Sequence, residues 1–269
     1  MKVAVGAKSD VGLKRSHNED SLCVEPQLGL FVVCDGMGGH NAGEVASYLA
    51  SDVVRKYVRE QRQQGDPALA DGYDPRFASG TNRLASAIRV ANETVYRAAM
   101  SRSDYEGMGT TIVAALLDGP VVSIAHVGDS RAYLVRKGAL AKLTEDHSLV
   151  AEQVRRGLIT EEEAEHSPQQ NIITRAIGME ATIEVSLNEL TLIPGDCFLL
   201  CSDGLTKGVR AAQILDAIQA APDAQAASDQ LVALANQAGG EDNTTVIVIM
   251  TRQRVTHELW SRLSSWTIS

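Results

Sequence analysis

Two stretches of this 269-residue chain end in nearly the same way, Phe31-Val32-Val33-Cys34-Asp35-Gly36 and Phe198-Leu199-Leu200-Cys201-Ser202-Asp203-Gly204. Each carries an apolar, strand-like run up to an Asp, and the following Gly frees the backbone to turn and approach a ligand closely. Three further acids occupy comparable places. Asp20 closes Arg15-Ser16-His17-Asn18-Glu19-Asp20, Asp129 lies in His126-Val127-Gly128-Asp129-Ser130-Arg131, and Asp242 lies in Gly240-Glu241-Asp242-Asn243. In layered sheets these acids would meet along one edge. Two carboxylates about 4 Å apart repel by roughly 4 kcal/mol at an effective dielectric near 20, so such a group demands protons or cations. All-oxygen donors suit Mg²⁺ or Mn²⁺ better than Zn²⁺. Two such ions can activate a water and hold a phosphoryl group for in-line attack. Arg15 supplies a forked donor pair matched to phosphate oxygens.

The elements that must position these residues are readable from periodicity. Strand-length apolar runs fall at 21–24, 28–34, 111–117, 121–127, 132–135, 182–187, 196–201 and 244–250. Lys137-Gly138 closes a hairpin over 132–140, and Asp118-Gly119-Pro120 turns between two strands. Helical spacing covers 42–63 through Val45, Leu49, Val53, Val54 and Val58, and 79–100 through Leu84, Ile88, Ala91 and Val95. Two more helices are expected at 211–220 and 224–237. Strand pairs joined by short turns, interleaved with helix pairs, imply antiparallel sheets covered by helices. Val150–Ser167 is poor in apolar residues. Within it Thr160-Glu161-Glu162-Glu163 is a capping-box start and Ser167-Pro168 a stop, so this segment reads as a surface flap.

Composition removes several function classes. The chain is 44% hydrophobic and 22% charged, an ordinary globular balance. Asp+Glu 34 against Lys+Arg 25 gives a net charge of −9, which argues against nucleic acid or an anionic membrane as partner. No run is long and apolar enough to span a bilayer, and the N-terminus is too short in apolar residues for a signal peptide, so a cytoplasmic location is expected. Cys23, Cys34, Cys197 and Cys201 sit in apolar runs without C-x-x-C spacing and are expected as buried, reduced side chains. Thiol-based phosphatase chemistry is excluded, because no Cys has an Arg six residues later. Those places hold Gly29, His40, Asp203 and Lys207. No phosphate-binding glycine loop of nucleotide-binding type occurs.

In sequence order stand Arg15-x-x-Asn18-x-Asp20, Asp35-Gly36-Met37-Gly38-Gly39-His40, Gly109-Thr110-Thr111, Val127-Gly128-Asp129-Ser130-Arg131, Asp146-His147, Ser202-Asp203-Gly204-Leu205 and Asp242-Asn243. Together these motifs resemble the metal-dependent protein phosphatases of the 2C type, in their compact bacterial form. The resemblance implies an α+β fold, an α-β-β-α sandwich of two central antiparallel sheets flanked by helix pairs. It implies one catalytic domain over 1–251, with a flap at about 150–179, and a C-terminal tail over 252–269. It implies hydrolysis of phosphoserine and phosphothreonine by a metal-bridging hydroxide, with two Mn²⁺ or Mg²⁺ ions and room for a third. Asp35 is expected to bridge the two ions, with the Gly36 carbonyl on the second. Asp203 and Asp242 complete the first, and Asp129 with Asp203 holds the third. Arg15 is expected to bind the substrate phosphate, while Glu19, Asp20, Ser130 and Asn243 support the metal shell. Met37 stands where eukaryotic members carry a His assigned to protonating the leaving alcohol. A thioether cannot do this, which leaves His40 or a water.

The expected partners are phosphorylated proteins and a cognate Ser/Thr kinase, with the phosphatase itself a monomer. Two alternatives stay open: a non-catalytic phosphoprotein-binding relative, and a phosphatase acting on a sigma-factor-antagonist type of regulator. His126 is expected in the core rather than as a ligand, and His17 and His147 as structural members of their motifs. The tail holds both tryptophans, with Val255, Leu259, Leu263 and Trp266 at helical spacing. It is expected to pack on its own domain, the other reading being a docking segment.

Overall fold

The computed structural model describes residues 2–38, 42–64 and 72–251. His40 and the tail over 252–269 lie outside these residues. Eleven strands and seven α-helices are arranged among the described residues as two facing antiparallel sheets between layers of helices.

The first sheet has the order β1 (Val3–Asp10), β11 (Thr244–Thr251), β10 (Cys197–Cys201), β7 (Arg131–Arg136), β8 (Ala139–Lys142). The second has the order β2 (Asp20–Glu25), β3 (Leu30–Met37), β5 (Ile112–Asp118), β6 (Val121–Val127), β9 (Ser186–Thr191), with short β4 (Gly109–Thr110) also pairing β3. Helices α1 (Ala42–Gln64) and α2 (Ser79–Ser101) cover the second sheet. Helices α5 (Asp203–Gly208), α6 (Ala211–Ala220) and α7 (Ala224–Gln237) cover the first.

Alternation along the strands builds this layering, because successive side chains face opposite sides of a sheet. On β3, Phe31 and Val33 face the other sheet, while Leu30, Val32 and Cys34 face α1 and α2. On β10, Phe198 and Leu200 face inward between the sheets, while Cys197, Leu199 and Cys201 face α5, α6 and α7. Strands buried on both faces read as unbroken apolar runs, which is why these two were conspicuous. Truncating a fully buried phenylalanine such as Phe198 costs about 3–5 kcal/mol.

Local chemistry fixes the turns and caps. Lys137 (φ 51°) and Gly138 (φ 78°) both occupy the left-handed region, the geometry of a two-residue hairpin whose twist matches its strands. Asp223 caps α7 by accepting from the Ala226 N–H at 2.9 Å. Between β8 and β9 the chain forms α3 (Leu149–Arg155) and α4 (Glu161–Glu165), the latter opened by the expected Thr160–Glu163 capping box.

Two expectations need correction. The strand placed at 182–187 begins instead at Ser186 and runs to Thr191, because its ladder partner β6 pairs with that stretch, from Val121↔Thr191 to His126↔Ser186. The N-terminal residues, read only for a leader, form β1. It is a full edge strand held by β11 from Val3↔Thr251 to Asp10↔Thr244. All four cysteines are free and buried.

Candidate active site

Five aspartates and a glutamate gather at one edge of the sandwich. Asp20 and Asp35 are directly opposed in the β2–β3 ladder. Asp129 follows β6, Asp203 opens α5 just beyond β10, and Asp242 precedes β11. Asp20 and Asp35 therefore come from the second sheet, Asp203 and Asp242 from the first, and Asp129 from the turn that passes from β6 of the second to β7 of the first.

The backbone around Asp35 is held on all sides. Its N–H donates to Thr111 Oγ1 at 3.1 Å, and its carbonyl accepts from Thr111 N–H and Thr110 Oγ1, both at 2.8 Å. Ser130 Oγ lies 2.7 Å from Thr111 Oγ1, so Ser130 extends this clamp. Gly36 is squeezed between the Gly43 carbonyl, 2.1 Å from where a Cβ would stand, and the Glu19 carbonyl at 2.5 Å. No other residue fits that approach. The same holds at Gly204, where a Cβ would lie 1.9 Å from the Asn243 carbonyl oxygen.

Asn243 organises the loop before β2. Its Oδ1 accepts from the Glu19 N–H at 2.8 Å, and its Nδ2 donates to the carbonyls of Val11 and His17 at 2.9 and 3.0 Å. Asp20 Oδ2 accepts from Ser202 Oγ at 2.8 Å, and the same hydroxyl accepts from the Thr245 N–H at 2.9 Å. This small bridge joins the acids of the two sheets.

The cluster is electrostatically strained. Burial raises the Asp35 carboxyl well above the usual range, and Asp20, Asp203, Asp129 and Asp242 add to it. Burial also pushes Asp20 up to about 7 against the relief of Thr245 and Ser202. Asp129 is likewise raised to about 7 by burial, then by Asp203 and Asp146. Glu19 is raised chiefly by burial, with Arg15 opposing. For Asp242 burial acts upward, but Lys207 and Arg15 outweigh it and hold the carboxyl below its ordinary value.

Two side-chain cations explain that exception. Lys207 Nζ is 2.6 Å from Asp203 Oδ2 and 2.9 Å from Asp242 Oδ2. Arg15 forks onto Asp242, Nε to Oδ1 at 2.9 Å and a terminal nitrogen to Oδ2 at 3.1 Å.

Four buried carboxylate oxygens nevertheless have no hydrogen-bond partner among the described residues: Glu19 Oε1, Asp20 Oδ1, Asp129 Oδ1 and Asp203 Oδ1. Unpartnered buried acceptors of this kind are costly. A set made solely of oxygens, bearing excess negative charge, fits hard divalent cations such as Mg²⁺ and Mn²⁺. Among the described residues no three His, Cys, Asp or Glu side chains close into one metal cage. The fit is that of an open basin, suited to ions that keep part of their water.

The sequence motifs left the role of Asp146-His147 unspecified, and the structure supplies it. Arg131 forks onto Asp146, with Nε at 3.1 Å from both oxygens and a terminal nitrogen at 2.6 Å. His147 Nδ1 accepts from the Gly128 N–H at 3.1 Å, pinning the turn that carries Asp129. Burial lowers His147 to about 3, with stacked His126 adding to the effect at a ring separation of 4.7 Å. A neutral ring is what this accepting geometry requires. His126, as expected, is a core residue, bonded to the Glu145 carbonyl at 2.8 Å. Sequence reasoning missed Lys207, and it quoted Ser202 and Thr110-Thr111 within motifs without assigning their bridging and clamping roles. Only the i, i+4 spacing of Asp203 and Lys207 could have pointed to the first.

A cleft of about 530 Å³ opens beside this edge, lined by Met37, Met179, Ile183 and residues 173–176.

The chain resembles several known proteins along nearly its full length. The family model described as protein phosphatase 2C matches residues 14–236. The serine/threonine phosphatase stp of Listeria welshimeri is 38% identical over 250 residues, covering 90% of this chain and 93% of that protein. The crystal structure of the Mycobacterium tuberculosis serine/threonine phosphatase PstP/Ppp superposes with a TM-score of 0.82 at 37% identity, covering 93% of this chain and 99% of that one. A structure of the PstP catalytic domain in complex with two manganese ions superposes with a TM-score of 0.79 at 36% identity, covering 93% and 99%. The family model covers most of the chain and the fold superposes on these relatives, and the chain belongs to the protein phosphatase 2C family.

Proposed function

We propose that this chain is a metal-dependent phosphatase of phosphoserine and phosphothreonine in proteins. The observation that carries the reading is the meeting of five aspartates around buried carboxylate oxygens that no donor among the described residues satisfies. Asp35 and the Gly36 carbonyl, with Asp203 and Asp242, would hold the ions, and Asp129 with Asp203 would hold a further, weaker one. Mn²⁺ or Mg²⁺ held there would lower the pKa of a coordinated water and neutralise phosphoryl charge.

The chain's own residues do the rest. Arg15 presents its guanidinium fork to the substrate phosphate, exchanging Asp242 for phosphoryl oxygens. Glu19 and Asp20, each with a buried oxygen lacking a donor among the described residues, would accept from waters around such an ion. Ser130 acts through Thr111 to fix Asp35, and Asn243 shapes the loop carrying Arg15 and Glu19. Met37 cannot protonate the leaving alcohol, so that proton falls to His40 or to water.

Retention of every metal-site acid favours turnover over a purely phosphoprotein-binding role. A Ser/Thr kinase supplies the substrates, and the enzyme acts as a monomer in the cytoplasm. Among the described residues no helix is long and apolar enough to cross a membrane.

The decisive assay is a Mn²⁺ titration on a panel of phosphopeptides. Phosphoserine and phosphothreonine peptides should be hydrolysed, phosphotyrosine peptides spared, and all activity lost in EDTA. Full activity in EDTA, or equal activity on phosphotyrosine, would overturn the reading.

A further inference from the structure

Lys207 is the one lysine in direct contact with the acids of the basin among the described residues. It lies one helical turn after Asp203, on α5, with its side chain about one-third exposed to solvent (32%). Its ammonium spans two carboxylates contributed by separate segments, the start of α5 and the loop before β11. Desolvation disfavours a buried ammonium, yet the two carboxylates more than compensate and keep it charged. The contact therefore adds a charged link between the ends of two strands, β10 and β11, that already pair in the first sheet.

An ammonium and a hard divalent ion seek the same oxygens. Nζ lies 2.6 and 2.9 Å from Asp203 Oδ2 and Asp242 Oδ2. Mg²⁺ approaches its oxygen ligands to about 2.1 Å, and both cations cannot share those two atoms at such range. Each also repels the other, and partial burial weakens the screening between them. Lysine is well suited to yield, since its charge rides on a flexible four-carbon stem rather than a rigid fork.

We propose that Lys207 is a tethered counter-ion that competes with divalent metal for Asp203 and Asp242. Metal loading is then an exchange of cations, in which the ammonium swings off the carboxylates as the divalent ion arrives. The lysine prevents the two acids from repelling each other before loading, and it sets a threshold concentration below which the metal does not displace it. This rests on the proposed assignment of Asp203 and Asp242 as metal-holding residues.

The test is calorimetric titration of Mn²⁺ into the chelator-stripped full chain, comparing wild type with Lys207→Met, Lys207→Arg and Asp203→Asn. Removing the competing charge should tighten Mn²⁺ binding by about tenfold or more in Lys207→Met. Lys207→Arg should bind no tighter than wild type, and Asp203→Asn should lose the site. Lys207→Met binding Mn²⁺ no tighter than wild type, while Asp203→Asn loses it, overturns the exchange and leaves the metal assignment standing. Unchanged binding in Asp203→Asn overturns the assignment itself. A second measurement needs no variant. Amine labelling of wild-type Lys207, followed by mass spectrometry, should rise on adding Mn²⁺, and labelling indifferent to Mn²⁺ refutes the exchange even if Lys207→Met does not fold.

Discussion

Asp203 and Asp242, from the first sheet, each touch a side-chain cation, whereas Asp20 and Asp35 of the second sheet and Asp129 of the turn between the two touch none among the described residues. The consequences differ. Asp242 is held below its ordinary carboxylate range, while Asp20 and Asp129 are both raised to about 7. One half of the basin carries its own counter-charge and the other relies on protons or on ions from solution. A fold can thus place five acids together only by dividing the problem. Two carry a counter-charge from the chain itself, and the three left without one add most to the basin's demand for an external cation.

The sharpest challenge to this division is Asp35→Asn, which removes the charge most surrounded by other acids. Turnover of a phosphopeptide should fall by about a thousandfold or more, since the group acts on the charge developing during phosphoryl transfer. Near-wild-type kcat would mean the unneutralised half is not where chemistry occurs.

Arg15→Ala tests the neutralised half. Losing one charge-assisted donor pair should raise KM by about 10- to 100-fold with a smaller effect on kcat, because phosphate binding is shared by ground and transition states. A fall confined to kcat would contradict that role. Asp129→Ala should weaken one Mn²⁺ site by about tenfold or more while sparing the tighter pair, as read by calorimetry. Loss of every site would show that Asp129 cannot be separated from the other acids.

The smallest effect concerns pH. Asp20 titrates at about 7 in the folded protein and near 3.9 when unfolded. Between those values the native chain binds more protons than the unfolded one, so in EDTA this group's contribution to stability declines as pH rises from about 4 to about 7. The urea midpoint should therefore be higher near the acidic end of that window, and Asp20→Asn should flatten the slope. An unchanged slope in the variant would assign the effect elsewhere.

Much of this arrangement was legible in the residues. The two runs ending at Asp35 and Asp203 are buried on both faces, so their strands announced themselves without an alternating pattern. Helices 211–220 and 224–237 followed from spacing, and the capping box at Thr160 was local chemistry. What escaped was whatever depends on a distant partner. β1 is an edge strand only because β11 lies beside it, and β9 takes its register from β6. Ser202 matters through Asp20, which is 182 residues away, and Lys207 through Asp242, which is 35 away. No local pattern encodes such pairs.

The slab of side chains between the sheets, with Phe31 and Phe198 at its middle, has a role beyond stability. Since the acids are anchored to opposite sheets, its thickness is the gauge that sets the gap between them. Ligand distances to small divalent ions tolerate only a few tenths of an ångström. A repacked interior residue far from any phosphate could therefore detune the enzyme, with the folded form intact and every acid still in its place along the chain.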